Sequence, residues 1–470
     1  MHALELLPQC LHEVNPLNQR QFSLLPRSIR DLWKALTMER ALRKADYIAN
    51  PAFFSAYLRY FMPWNLVRLT ALLTDLSLEL PEHGTVLDIG SGPLTFPLAL
   101  YIARPELRTK PLRILCLDRA PRIMETGKLL LETLAARHAG SLPPWDIELH
   151  QGRFGEPLKV RADLVSAVNV LNEFVWKHTD HAPLAEHAAS VLHELAELTA
   201  YGGCILVVEP GEPRAGGIIS ALRANALLAD MHVEAPCPHT GACPMPGIFR
   251  TGQRILMESA GIDAKRPSDI EKVGPPARQE GPHGSETKPL APVRMPTIRP
   301  KYPWCHFAVP AELAPSWLRK LSESAGLGKE KLSFSFILMR ASERTTDSRA
   351  RKAQQGRHAE GAREKTILQH HSSVVPCRMV SDVFPLPGHR LGRYACSPLG
   401  YTLLSAPQHS SLPSSGDLVL VPISSHYPNV TRAGQQQTAS RAKLPASHPT
   451  IAPEENIDTK SGAVHLTWKP

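Results

Sequence analysis

Two groups of residues in this chain have the types and spacing to do chemistry. One is Asp88, Gly90, Gly92 and Asp118, two carboxylates bracketing a glycine-punctuated turn; the other is Cys237, Cys243, Cys305 and Cys396. In Thr85-Val-Leu-Asp-Ile-Gly-Ser-Gly-Pro-Leu-Thr-Phe-Pro-Leu-Ala-Leu100 an apolar run ends in an acid, turns, and re-enters an apolar segment of helical character. Gly90 and Gly92 permit a turn tight enough for backbone to approach a ligand. The helix after them offers free N–H groups at its start, and Pro93 or Pro97 suits its first turn. Asp88 is placed to accept hydrogen bonds from a polar ligand or from the turn itself. A second run, Leu112-Arg-Ile-Leu-Cys-Leu-Asp118, again ends in an acid, where a carboxylate can bind a ribose diol. A dinucleotide fingerprint fits poorly, because Leu94 stands where its third glycine belongs. A P-loop also fits poorly, since no Lys-Ser/Thr pair follows.

The cysteines form the second constellation. Cys237 and Cys243 share the proline-stiffened loop Ala235-Pro-Cys-Pro-His-Thr-Gly-Ala-Cys-Pro-Met-Pro246; Cys305 sits in Trp304-Cys-His-Phe307 and Cys396 in Arg393-Tyr-Ala-Cys-Ser-Pro398. Four thiolates converging on one point make a sulfur-only site, which selects zinc or an iron–sulfur cluster. Spacing alone leaves open that these are unrelated thiols, since cysteine is often an ordinary core residue. The gap between the first two is wider than in zinc knuckles. His239 and His306 are possible substitute ligands, better read as outer neighbours, and Cys377 rivals Cys396 for the fourth place. Cys10, Cys116 and Cys204 read as structural.

The elements that must position these groups follow from periodicity. Residues 1–82 read as helical, with an apolar stripe from Ser28 to Ile48 and an aromatic-rich stretch from Phe53 to Leu80. From Thr85 strands and helices alternate, which argues for a parallel α/β sheet. The runs 146–150, 163–170 and 204–209 supply further strands, with helices over 121–138, 181–199 and 218–229. Two later runs, 305–309 and 332–339, read as an antiparallel pair completing a seven-stranded sheet. Residues 251–300 are rich in Pro, Gly and charge and read as a disordered insertion following the Cys loop of 236–250. Residues 342–372 form a basic linker, 373–404 a small β module, and 405–470 a largely disordered tail apart from Leu418-Val-Leu-Val421.

The Val86-Leu-Asp-Ile-Gly-Ser-Gly92 turn followed by Leu117-Asp118 resembles the S-adenosylmethionine-dependent methyltransferase fold. That resemblance implies a Rossmann-like seven-stranded sheet, with Asp88, Gly90, Ser91, Gly92 and Asn169 around the cofactor and Asp118 on its ribose hydroxyls. Pro-Cys-Pro-His…Cys-Pro, then Trp-Cys-His-Phe, then a late cysteine in a β module resemble one family more narrowly. It is the methyltransferase-like proteins of the small ribosomal subunit, the Rsm-type mitochondrial small-subunit proteins and their bacterial relatives, and the likeness runs from about Leu24 to Leu404. The family implies a [4Fe–4S] cluster, with zinc the lesser possibility, on Cys237, Cys243, Cys305 and Cys396. It also implies binding to small-subunit rRNA, and to ribosomal proteins as further partners. One departure stands out: the 251–300 insertion separates the second and third cysteines, at an entropic cost that grows only logarithmically with length.

No catalytic residue can be named. Exocyclic base methylation commonly uses an Asn/Asp-Pro-Pro-aromatic turn, and the chain has Asn169-Val-Leu-Asn-Glu-Phe174 instead. A cysteine nucleophile for carbon-5 methylation is also lacking, because Cys204 faces a core. Two readings therefore stand: a methyltransferase acting on ribosomal RNA or protein, and a non-catalytic rRNA-binding assembly factor on the same fold.

Composition sets bounds on these readings. The 470 residues suffice for two or three domains, 43% are hydrophobic, and 44 prolines point to sizeable unstructured parts. The net charge of +9 and pI near 9.1 are compatible with an anionic partner such as RNA. No basic leader with a long apolar core opens the sequence, no run approaches the ~20 apolar residues of a membrane span, and eight scattered cysteines suit a reducing compartment. The expectation is a soluble cytoplasmic protein with no membrane contact.

Overall fold

The computed structural model describes residues 2–37, 47–171, 181–247, 303–341, 374–422, 457–458 and 463–468. The expected insertion of 251–300 and the basic linker of 342–372 lie outside them.

Helices α1 (His2–Glu5), α2 (Leu7–Val14), α3 (Gln19–Thr37), α4 (Pro51–Ala56) and α5 (Met62–Asp75) form an N-terminal layer. Asn50 caps α4, its side chain accepting from the Ala52 and Phe53 amides. Between α4 and α5 the helix continues through a π-helical turn, Tyr57–Phe61. Pro63 has no N–H to give the preceding turn, and such turns recur where a helix meets a functional site. Buried Trp64, Leu66, Leu69 and Leu73 fasten α5 to the sheet domain.

The sheet domain contains β1 (Thr85–Ile89), α6 (Thr95–Ala103), β2 (Leu112–Asp118), α7 (Pro121–Ala139), β3 (Trp145–Gln151), β4 (Ala162–Val168), α8 (His181–Glu197), β5 (Thr199–Pro210), α9 (Pro213–Leu228), β6 (His232–Ala235), β7 (Phe307–Pro310), α10 (Ser316–Ser324) and β8 (Lys331–Arg340). Its strand order is β3-β2-β1-β4-β5-β8-β6, with β7 paired to β8. Strands β1 to β5 run parallel, and β8 runs antiparallel to both β5 and β6. This is a Rossmann-like sheet of the kind the sequence resemblance implies: a doubly wound parallel half closed by one reversed strand. Val86 faces one apolar core while Leu87 and Ile89 face the other. Burial on both sides explains why β1 reads as a continuous apolar run. The strand order reverses between β1 and β4, and ligands of open α/β sheets bind at such a switch point.

The two late runs pair antiparallel in this sheet, as the sequence suggests, but the sheet has eight strands rather than seven, because β6 also joins β8. Residues 332–339 do supply the reversed strand, but they insert between β5 and β6. The four-residue β6 is too short and polar to stand out by pattern. Residues 307–310 form only a short pairing on β8, and Cys305 precedes that strand.

A second sheet, in order β13-β9-β11-β12-β15-β14 with β10 paired to β11, comprises β9 (Val374–Met379), β10 (Phe384–Leu386), β11 (Arg390–Ser397), β12 (Gly400–Pro407), β13 (Leu418–Pro422), β14 (Ile457–Asp458) and β15 (Ala463–Thr467). It extends past 404 into the stretch expected to be tail. Strand β15 lies parallel to β12, a pairing across a long sequence gap that no local pattern announces. No helix among the described residues is long and apolar enough to cross a membrane.

Gly127 is a structural requirement of the glycine turn. A Cβ there would lie 2.3 Å from the Pro93 carbonyl carbon, so α7 can press on the turn only because residue 127 has no side chain. In a helix interior Gly→Ala ordinarily stabilises by about 1 kcal/mol. Here Gly127→Ala is expected to destabilise by about 1–3 kcal/mol, the cost of overpacking, measured by urea denaturation.

Candidate functional site: a polar cavity at the switch point and a thiol site at the sheet edge

The glycine turn begins where β1 ends. Gly90 and Gly92 have φ +69 and +51, the left-handed region that glycine enters without strain. The Gly90 and Ser91 amides both donate to the Leu117 carbonyl, folding the turn back on β2. A Cβ at Gly90 would meet Val170 Cγ2 at 2.3 Å, whereas one at Gly92 would meet nothing within 4 Å. Leu94, at the missing third glycine, is buried with φ +55 at the N-cap of α6. A left-handed leucine costs about 1–2 kcal/mol.

Asp88 is 2% exposed. Its Oδ1 accepts from Ser166 Oγ at 2.7 Å, and its Oδ2 is buried without a partner. Asn169 follows β4 with φ +58, a conformation Asn tolerates better than most residues; its Oδ1 is likewise buried and unpartnered. Both acceptors face a cavity of ≈ 20 Å³ that Gly90, Ser91, Tyr57 and Asn65 also line. Room for about one water remains, because Tyr57 and Asn65 of the N-terminal layer roof it. Two orphan acceptors ask for a donor, and an ammonium supplies three N–H groups and no lone pair.

Burial pushes the Asp88 carboxyl up to about 7, against the lowering effect of the Ser166 and Ser91 hydrogen bonds and with a further rise from the Asp118 charge. Its folded pKa is raised, so the folded state binds the extra proton between about pH 4 and 7. This group's contribution to stability therefore falls as pH rises through that window. Ligand binding has the opposite sign: an ammonium needs the carboxylate ionised. Affinity for an amino-acid-bearing ligand is expected to drop about tenfold from pH 8 to pH 6, and Asp88→Asn to flatten that dependence in calorimetric titrations.

Asp118 ends β2 beside the turn. Its Oδ2 accepts from the Gly92 amide and its Oδ1 from the Ala120 amide, each at 2.9 Å. Each oxygen keeps a second lone pair for a hydroxyl. Glu209, fully buried at the end of β5, accepts the Leu171 amide at 2.8 Å and so fixes the loop carrying Asn169. Sequence reasoning singled out Asp88, Gly90, Ser91, Gly92, Asp118 and Asn169 but missed Ser166, Tyr57 and Asn65. Only the register of β1 against β4 and the folding back of the N-terminal layer place those three. Asn172 and Glu173 lie outside the described residues.

The thiol site lies where the loop after β6, the segment before β7 and the second sheet meet. Cys237 and Cys243 follow β6. The Gly247 amide donates to the Pro303 carbonyl at 3.0 Å and Pro246 bridges Trp304, so the two ends of the long intervening segment are pinned together beside Cys305. Gly216 of α9 makes room for Trp304, whose indole N–H donates to the Gly211 carbonyl at 3.0 Å. Cys396 arrives on β11. Burial raises the Cys305 and Cys396 thiols well above their ordinary range, and charge on Cys237 and Cys243 raises both further. The four sulfurs are thus electrostatic neighbours. Among the described residues, however, no three His, Cys, Asp or Glu side chains close into a cage that could hold a single metal ion.

Cys377 lies elsewhere. Arg378, the residue after it, is the register partner of Cys396, so strand alternation turns Cys377 to the opposite face. It packs there with Val375, Met379 and Ala395 in the core of the second sheet. Cys10, Cys116 and Cys204 are buried, and all eight cysteines are free. His239 reaches Cys396, its Nε2 lying 3.3 Å from Sγ. Burial, with help from the Arg223 charge, lowers its pKa to about 4, so the imidazole is neutral at physiological pH and can donate one N–H to the sulfur. His306 stacks on Trp304 with ring centroids 4.7 Å apart.

Two guanidiniums complete the site. Arg223 of α9 donates from Nε to Cys237 Sγ at 3.0 Å and from Nη2 to the His239 carbonyl at 2.7 Å. Burial raises the Cys237 thiol pKa while the Arg223 charge opposes that rise. Arg378 donates from Nε to the Pro236 carbonyl at 2.9 Å and from Nη1 to the Gly416 carbonyl at 2.7 Å, tying the Cys loop to the second sheet. Sequence reasoning overlooked both, although one arginine inside the otherwise uncharged run 215–224 was a signal to follow.

Comparison with known families finds one match: residues 52–249 match the family described as mitochondrial small ribosomal subunit Rsm22. The match takes in the glycine turn, Cys237 and Cys243, and stops before Cys305 and Cys396. The resemblance drawn from the sequence motifs therefore holds over that span. No curated protein matches the chain. Among solved structures, precorrin-6y C5,15-methyltransferase from Geobacter metallireducens aligns at 16% identity over 36% of this chain and 74% of its own, with a TM-score of 0.25. An O-methyltransferase family protein from Burkholderia thailandensis aligns at 18% over 43% and 64%, with a TM-score of 0.27. Fibrillarin from Aeropyrum pernix, solved with S-adenosyl-L-methionine, aligns at 20% over 37% and 69%, with a TM-score of 0.24. At such scores the fold rests on the strand order itself.

Proposed function

We propose that this chain binds S-adenosylmethionine at the β1/β4 switch point, carries a [4Fe–4S] cluster on Cys237, Cys243, Cys305 and Cys396, and works at the small ribosomal subunit by contacting its rRNA. The observation that carries the cofactor reading is the pair of orphan acceptors, Asp88 Oδ2 and Asn169 Oδ1, facing one cavity at the turn. The amino group of the methionine end would supply the missing donors, the Gly92 side leaves open space for a close approach, and Asp118 has lone pairs left for the ribose. Bound there, the cofactor would supply an electrophilic methyl group. The chain's own residues would orient it and exclude water.

Four sulfur donors suit soft metals. The family resemblance implies a [4Fe–4S] cluster rather than zinc on these four cysteines, and a reducing cytoplasm would keep such thiols available for it. The ribosomal reading draws on the matched family and on the net charge of +9, which favours a polyanion.

A second reading, an assembly factor that transfers no methyl group, is favoured by the enclosure of the cavity at ≈ 20 Å³ under Tyr57 and Asn65. Crosslinking in cells with sequencing of bound RNA, run beside mass spectrometry of modified nucleotides in a deletion strain, separates the two. Recovered small-subunit rRNA with one methyl group lost in the deletion means an enzyme, and recovered rRNA with none lost means an assembly factor. Absence of rRNA among the crosslinks would overturn the ribosomal reading.

A further inference from the structure

Helix α9 runs Gly-Gly-Ile-Ile-Ser-Ala-Leu-Arg-Ala-Asn-Ala-Leu-Leu over 216–228, and Arg223 is the single charge in that stretch, 2% exposed. A buried guanidinium is expensive unless its charge is compensated. Among the described residues no carboxylate pairs with it. Its hydrogen bonds go to Cys237 Sγ and to the His239 carbonyl, and Nη1 is buried without a partner. Both of these hydrogen bonds lead into the thiol site.

We infer that Arg223 is the counter-cation of the thiol site, tuning the retention and the reduction potential of the cluster held there. The inference rests on the cluster reading above. A four-thiolate [4Fe–4S] unit carries a net negative charge in its oxidised form, and hydrogen bonds and charges at the sulfurs set its potential. Arg223 meets that charge from the α9 side, and Arg378, opposite Cys396 in register, meets it from the second sheet. One electron accepted from an external reductant makes the cluster more negative. A fixed cation beside it favours that state, so Arg223 holds the potential higher than the sulfurs alone would. Through the His239 carbonyl the same side chain also anchors the loop whose imidazole lies against Cys396.

The test uses the full chain, reconstituted anaerobically with ferrous iron and sulfide, as wild type, Arg223→Met and Arg223→Lys. Iron per chain, the rate of cluster loss to EDTA, and the midpoint potential in a dithionite titration followed by visible absorbance are measured. Arg223→Met is expected to lose its cluster about 10–100-fold faster and to show a lower midpoint potential. Arg223→Lys, which keeps the charge but not the two-pronged contact, is expected to hold a potential near wild type while losing its cluster faster. A Met variant matching wild type in both rate and potential overturns the inference. Should circular dichroism show that the Met variant does not fold, a Lys variant with a wild-type loss rate overturns it equally. Failure of the underlying reading is distinguishable: the wild-type chain itself would then take up no iron.

Discussion

Gly90→Arg is expected to abolish S-adenosylmethionine binding, with at least about a hundredfold loss of affinity by calorimetry. Two effects combine. Any side chain at residue 90 must adopt φ +69, and its Cβ would fall 2.3 Å from Val170 Cγ2. The clash cannot be relieved locally, because Val170 belongs to the loop that Glu209 fixes through the Leu171 amide. An arginine would also bring its own cation into the cavity where Asp88 and Asn169 await an ammonium, and a like charge there excludes the ligand. A near-attack arrangement of the donor depends on such positioning, so any methyl transfer should vanish with binding. Unchanged affinity in a folded variant would remove the switch-point cavity as the cofactor site.

Cys396→Ala is the second large effect: the reconstituted chain is expected to lose most of its iron, while Cys377→Ala retains it. The two residues sit on neighbouring strands, 19 positions apart, yet they face opposite sides of one sheet. Cys377 is buried in the apolar core of the second sheet, on the face turned away from the other thiols. Cys396 points at Cys237, Cys243 and Cys305, and at His239. Equal iron retention by both variants would mean that the metal is held elsewhere.

The sequence is informative where function constrains a short stretch. The run from Thr85 to Leu100, with its acid and two glycines, is legible because a buried parallel strand must be apolar on both faces and the turn after it needs left-handed backbone. The same holds for Asp118 and for the cysteine-proline loop. The sequence says little where position depends on distant pairing. Strand β15 joins β12 across a gap of more than fifty residues, β6 is four residues of mixed character, and the reversed strand β8 inserts between its neighbours in a way periodicity cannot order. The same limit applies within the sites. Asp88 stands out as the acid that ends an apolar run, but its Ser166 partner depends on the register of β1 against β4. Tyr57 and Asn65 belong to the aromatic-rich stretch from Phe53 to Leu80, and only the folding of the N-terminal layer brings them to the cavity. Arg223 is buried, and only the structure brings it against Cys237 and the His239 carbonyl.

The cysteines bring together the sheet domain, the loop after β6 and the second sheet, so what they hold is the most direct test of the proposed function. Iron, acid-labile sulfide and zinc should be quantified per chain after strictly anaerobic purification of the full-length protein, together with the visible spectrum. About four irons and four sulfides per chain, with broad absorbance in the blue, are expected. Stoichiometric zinc with no iron or sulfide would contradict the cluster.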